Sequence, residues 1–465
     1  MTKYVMSIAT VLLIFTLCTA VFANSGPVYW QGYPAAEMMS IATDTPLTVE
    51  SEELVFDFSQ KHTSSYALEG KVTATYQMSN PTSEQQAVQM AFPFVGQLRQ
   101  LNLAEIVIKA DAQQLPYELY LGSRAEFNSR VSATDVVPSF AFTNILSALS
   151  RQQYSAAHFS AEEIGRLYRF DVSPTTEQNI NFVVTFNDNA ENTKILINGF
   201  NGFAREAGKV RLSAWCSEPQ QFEVFALGEE LEFTMQAYTN GELSEKTDLY
   251  TAQVTTQEQQ VKLYLVSLSQ HHLNTEAAAL LDDTQVYNLY AEELDQQFTQ
   301  NLGVCALEEL WALAEQERIM VLLYSLEFPP QRAQEISVSY KTSGTMDKRE
   351  TVSPQYSFTY LLNPAAHWSE FKDLQIKIIT SPEAPYLINS SLPLKQTADR
   401  QYSADFTGLP GQDLTFTLFA AEKVTLADKV AGRVNRTFGY ITPISLGILL
   451  LLIILFGKKR TNSYF

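Results

Sequence analysis

The chain has 465 residues, of which 32 are basic and 51 acidic, for a net charge of −19 at neutral pH. A surface of that sign repels nucleic acid and anionic lipid or wall polymers, so binding of the whole to any of them through charge is not expected. A hydrophobic content of 46% with 12% aromatic residues belongs to a folded chain and not to a disordered stalk.

The N-terminus reads as a secretory signal. Lys3 is the only charge before the apolar run Val11-Leu12-Leu13-Ile14-Phe15-Thr16-Leu17, and Val21-Phe22-Ala23 gives a small-x-small cleavage pattern. Leu17 stands before Cys18 where a lipoprotein cysteine needs a small residue. The mature start, Gly26 to Pro34, is aromatic and nearly uncharged. Its Tyr29, Trp30 and Tyr33 are candidate partner-binding residues. The alternative is that the segment packs on its own ectodomain, as an added strand.

A first β region spans about Thr48 to Tyr120. Val72, Ala74, Tyr76 and Met78 alternate with polar residues, as do Val88, Met90, Phe92 and Phe94 after the turn Asn80-Pro81-Thr82-Ser83. The second run is expected as the partner strand of the first. From Ser123 to Asp171 the pattern becomes helical, with a helix over Phe140 to Leu149 and capping-box spacing at Ser160-Ala161-Glu162-Glu163. Strands resume at Ile180 and recur about every ten residues to Val266, the rhythm of a sandwich. Within them, Gly199-Phe200-Asn201-Gly202-Phe203 sets two aromatics beside two glycines. Phe200, Asn201 and Phe203 are a second candidate binding loop, against the plainer reading of a turn with its rings packed down.

Residues 271–318 read as a helical hairpin. Tyr287, Tyr290, Leu294 and Phe298 fall on one face, and Gly303 interrupts the run. A second β module is expected over 319–421, with a short connector over 422–437. Cys216 and Cys305 remain after signal removal, either as one disulfide or as two buried thiols.

Phe438 to Gly457 carries no charge. At about 1.5 Å per residue it spans a hydrocarbon core of roughly 30 Å. Lys458, Lys459 and Arg460 follow at once, a basic flank expected on the cytoplasmic side. No L-P-x-T-G motif precedes the span, so a retained anchor is expected in place of a wall-sorting signal. Setting aside Lys3, Lys458, Lys459 and Arg460, the four basic residues outside the ectodomain, takes the charge from −19 to −23.

Catalytic motifs are missing. There is no H-E-x-x-H, G-x-S-x-G, P-loop, G-x-G-x-x-G or EF-hand loop. His271 and His272 are adjacent and diverge, and His158 has no partner histidine. No catalytic residue, metal ligand or cofactor is assigned. Two glycosidase carboxylates would leave no motif, so a hydrolase stays open as an alternative.

Tyr76-Gln77-Met78-Ser79-Asn80-Pro81 followed by Met90-Ala91-Phe92-Pro93-Phe94 resembles the strand-turn-strand opening of exported β-sandwich domains of the vault/inter-α-trypsin type. Leu361 to Trp368, and the layout as a whole, resemble exported, C-terminally membrane-anchored proteins of Gram-positive bacteria. That resemblance implies a bacterial cell surface and no activity. The expectation is a mainly β protein of two or three Ig-like sandwich modules with helical insertions and one C-terminal transmembrane helix. The ectodomain would lie outside the cell and the short tail inside, with a protein or glycan ligand. A glycan-directed hydrolase or an accessory subunit of a transporter or sensor is the alternative.

Overall fold

The computed structural model describes residues 29–438, apart from 31, 43–44, 61–66, 126–141, 151, 176, 188–192, 274, 313–314, 363–364 and 366–367. The expected signal segment, the apolar stretch after Phe438 and the basic residues Lys458, Lys459 and Arg460 lie outside the described residues. Among the described residues no helix is long and apolar enough to cross a membrane. The chain is mainly β, with several sheets and few helices.

The alternating runs form strands, but their partners are far away in sequence. Glu69–Ser79 pairs antiparallel with Ala333–Ser343, and Gln86–Gln97 pairs antiparallel with Glu317–Phe328. Thr48–Asp57 lies beside Glu370–Ile379 in parallel. Strands expected in two separate β modules therefore share sheets. The expected pairing of the 69–79 and 86–97 strands does not occur, because the turn between them is a corner. One strand stays in an eight-stranded sheet and the other enters a four-stranded sheet.

Asn80 holds that corner. Its side-chain amide donates to the carbonyls of Glu84 (2.8 Å), Phe328 (3.0 Å) and Pro329 (3.2 Å). The backbone N–H of Asn80 donates to Arg332 O at 3.0 Å. Both strand-to-strand corners are thus tied by one buried asparagine.

The eight-stranded sheet packs on the four-stranded sheet and on a six-stranded one. Phe56 meets Tyr360 and Phe416 edge-on at 5.5 and 5.2 Å between ring centroids, and Phe92 meets Tyr340 at 4.9 Å. The helix Phe142–Ala148 covers the outer face of the four-stranded sheet, where Ile145 packs with Tyr120, Ile319 and Val321.

Residues 164–260 form a second sandwich inserted into the first. They supply one five-stranded sheet and four strands of a second, which enclose a core of Phe170, Phe182, Val184, Phe222 and Val224. Ile164 and Gln260, the ends of the insertion, are cross-strand neighbours. Two expectations fail at its ends: Ile164–Pro174 is a strand where the helical pattern was expected to reach Asp171, and the strand expected at 262–266 is the start of a helix. The helices Val261–His272 and Asp283–Gln300 fill the space between the sandwiches, and Tyr287, Tyr290, Leu294 and Phe298 are all buried as their spacing implies. Tyr264 stacks on Phe225 of the inserted sandwich at 3.9 Å. After these helices Val304–Ala306 adds a parallel strand to the inserted sheet beside 195–197. Cys216 and Cys305 are both buried and free.

Candidate functional site

The aromatic N-terminal segment is added to the large sandwich as a strand. Tyr29 and Trp30 pair with Asp347 and Met346, and the Arg349 guanidinium lies 4.4 Å from the Tyr29 ring centroid. Gly32 permits this approach: a Cβ there would sit 2.3 Å from Ser343 O. The chain continues through Tyr33 and Pro34 into Ala35–Ala36, which pairs with 360–361.

This strand forms one wall of a cleft of about 520 Å³. Trp30 and Tyr33 line it together with Phe92 and Phe94 of the 86–97 strand and Tyr340 of the 333–343 strand. Glu69, Glu105, Glu317 and Lys341 supply the charge. Lys341 Nζ is paired with Glu105 at 2.6 Å, so Glu69 and Glu317 leave the cleft acidic. Gln97 Nε2 donates to Glu317 at 3.5 Å, and partial burial raises the Glu317 carboxyl above the ordinary carboxylate range. Rings that offer apolar faces beside a few oriented acceptors are the usual lining of a small-molecule site.

Tyr340 links the cleft to a group of buried acids. Glu37, which follows the 35–36 strand, and Glu52, on the 48–57 strand, are both buried between the sheets with Tyr76, Tyr340 and Tyr360. Tyr76 is the cross-strand neighbour of Glu52, and its hydroxyl donates to Glu37 Oε2. Among the described residues, Glu37 Oε1 and both carboxylate oxygens of Glu52 have no hydrogen-bonding partner. Burial disfavours the charged form, and the hydrogen bonds that reach Glu37, that of the Tyr76 hydroxyl among them, offset this only in part. It pushes the Glu37 carboxyl up to about 7, and burial together with the charge of Glu37 pushes Glu52 well up as well. At neutral pH the pair therefore retains a proton. Nothing in the sequence pattern separates these two glutamates from the other acidic residues, because the signal is the long-range register that encloses them.

A third polar cluster is structural. Asp295 accepts from the backbone N–H groups of Ala157 (2.9 Å) and His158 (3.0 Å), from the Tyr154 hydroxyl (3.0 Å) and from His158 Nδ1 (2.7 Å). Burial alone would raise the Asp295 carboxyl, but these donors outweigh it and hold it below the ordinary value. The cluster fastens the 150–163 segment to the Asp283–Gln300 helix. Among the described residues no group of three or more His, Cys, Asp or Glu side chains is placed to hold a metal ion.

The second candidate loop does not join the cleft. Phe200 is 5% exposed and packs on Phe170 and Phe222 inside the inserted sandwich. Asn201 is exposed, and Phe203 is 47% exposed with the Arg205 guanidinium 6.0 Å from its ring. Of the residues singled out in the sequence, Trp30 and Tyr33 line the cleft, Tyr29 lies beside it under Arg349, and the other three belong to a different unit.

No protein-family model matches the chain, and no curated protein matches its sequence. Among solved structures, it is similar to that of a candidate nutrient binding protein from Legionella pneumophila, at 11% identity and a TM-score of 0.34. That likeness covers 89% of this chain and 77% of the other.

Proposed function

We propose that this is a non-catalytic ligand-binding ectodomain displayed on the outer face of a bacterial cell membrane, with a glycan as ligand. The cleft between Trp30, Tyr33 and Tyr340 carries the reading. Sugar rings have apolar faces that stack on aromatic side chains, and hydroxyls that donate to carboxylates such as Glu69 and Glu317. The export signal and the uncharged 438–457 segment with Lys458, Lys459 and Arg460 support the location. Titration with a panel of soluble oligosaccharides, followed by calorimetry, tests it. At least one should bind, and Trp30→Ala should weaken that binding at least tenfold while Phe203→Ala leaves it intact. A panel in which no oligosaccharide binds, or binding that survives Trp30→Ala, would overturn the reading.

A second reading is favoured by one observation. Glu317 is a carboxyl held toward its protonated form in an acidic, aromatic cleft, which is the character of a glycosidase general acid. In that case the same oligosaccharide would be cleaved, and Glu317→Gln would abolish cleavage while preserving binding. Location has its own test: alkaline carbonate should leave the chain in the membrane fraction, and protease added to intact cells should digest it.

A further inference from the structure

The helix Leu426–Phe438 has its faces reversed relative to an ordinary surface helix. A helix at the surface of a soluble body normally turns its apolar stripe inward. Here the side toward the body carries Asp428 and Gly432. Gly432 is buried so closely that a Cβ would lie 2.4 Å from Glu350 O, so the helix crosses the 350–351 backbone in direct contact. Leu426 and Val430, one turn apart on the other side, are 82% and 61% exposed, and Ala427 and Ala431 beside them are exposed as well.

The start of the helix is well fixed. The Thr425 backbone N–H donates to Asp428 Oδ2 at 2.8 Å, and the Asp428 N–H donates back to Thr425 Oγ1 at 3.2 Å. The outward apolar face is therefore held by the cap at one end and the Gly432 contact further along.

Two further facts indicate what covers that face. Lys423, Lys429 and Arg433 are exposed along this segment, which makes it a basic exception on a chain of net charge −19. The helix also leads, with no intervening residue, into the uncharged stretch that ends at Gly457. Gly439 and Pro443 come first in that stretch, and these are residue types at which a helix readily turns. An apolar stripe flanked by basic residues is the signature of a helix that lies in the headgroup–acyl boundary.

We propose that the Leu426–Phe438 helix lies along the outer surface of the lipid bilayer, with Leu426 and Val430 inserted, and so sets which side of the ectodomain faces the membrane. The proposal rests on the membrane-anchored reading above and adds an orientation to it.

Spin labelling of the full chain tests it, after reconstitution into vesicles of phosphatidylcholine and phosphatidylglycerol. Nitroxides are placed singly at Leu426→Cys, Val430→Cys, Gly411→Cys and Leu449→Cys, Gly411 being an exposed position in open space away from the helix, with the unsubstituted chain as control for buried Cys216 and Cys305. At 426 and 430, collision with oxygen relative to a water-soluble nickel chelate should exceed that at 411 several-fold. If 426 and 430 match 411 while 449 reports lipid, the helix stands clear of the bilayer and the inference fails with the anchor intact. Labels at 426 and 430 shielded from both reagents would mean that protein, such as a second copy, covers the face, which also overturns it. A label at 449 that reports water would overturn the anchored reading itself.

Discussion

Glu37 and Glu52 are the residues whose behaviour departs most from their type. In an unfolded chain a glutamate titrates near 4.5, whereas in the fold Glu37 keeps its proton to about 7 and Glu52 is raised too. Between those values the native state binds more protons than the unfolded one, so stability falls as pH rises. The contribution is complete below about 4.5 and is lost as pH passes through the folded value near 7. For Glu37 the loss is on the order of a few kcal/mol. Glu52→Gln removes a carboxyl that must take up a proton to be buried, and its amide can still donate to Glu37. We expect it to raise the melting temperature by several degrees at about pH 8, to change it little at about pH 5, and so to flatten the profile. A Glu52→Gln protein with the unsubstituted slope would mean that the pH dependence originates elsewhere.

Two short elements hold strands of the large sandwich in place. The Tyr29–Trp30 strand is held where the Gly32 backbone lies against 343–345, so Gly32→Ala forces the two backbones apart. We expect amide exchange at 345–347 to accelerate and the cleft ligand to bind at least tenfold more weakly, whereas Gly411→Ala, in open space, changes neither. The Asn80 corner is the other such element. Asn80→Ala removes the donor to the Glu84, Phe328 and Pro329 carbonyls, of which only the Phe328 contact is fully buried, and should cost about 1–3 kcal/mol by denaturant unfolding.

Much of the element level was legible in the sequence. Alternation at 72–78 and 88–94 identified strands, and the Tyr287, Tyr290, Leu294 and Phe298 stripe identified a helix and its buried face. For the N-terminal aromatics an added strand was one of two open readings, and it is the one the pairing of Tyr29 and Trp30 follows. Period two tells which face of a strand is buried and says nothing of its partner. That is why the 69–79 strand was paired with its neighbour in sequence and not with 333–343. The cleft was half legible: Trp30 and Tyr33 stood out as exposed-looking aromatics, whereas Phe92, Phe94 and Tyr340 read as ordinary core residues until the register brought them to one end of the sandwich.

At the scale of the whole molecule the issue is how two sandwiches behave as one body. Ile164 and Gln260 are neighbours, so the insertion enters and leaves at one point and could have hung there loosely. Two features oppose this. The Val304–Ala306 strand, which comes after the helices, completes the inserted sheet. Phe225, Leu196 and Leu227 on that sheet turn away from the insert's own core and join the core that includes Tyr264, Tyr287 and the large sandwich. Each Phe→Ala change in such a core costs about 3–5 kcal/mol, but the consequence depends on which core loses the ring. Phe182→Ala removes a ring from the insert alone and should increase hydrogen exchange within 164–260. Phe225→Ala removes the ring stacked on Tyr264, so exchange should increase both in the insert and in the helices Val261–His272 and Asp283–Gln300. If Phe225→Ala loosens only the insert, the helical layer draws its stability from the large sandwich alone, and the two units are joined without being coupled.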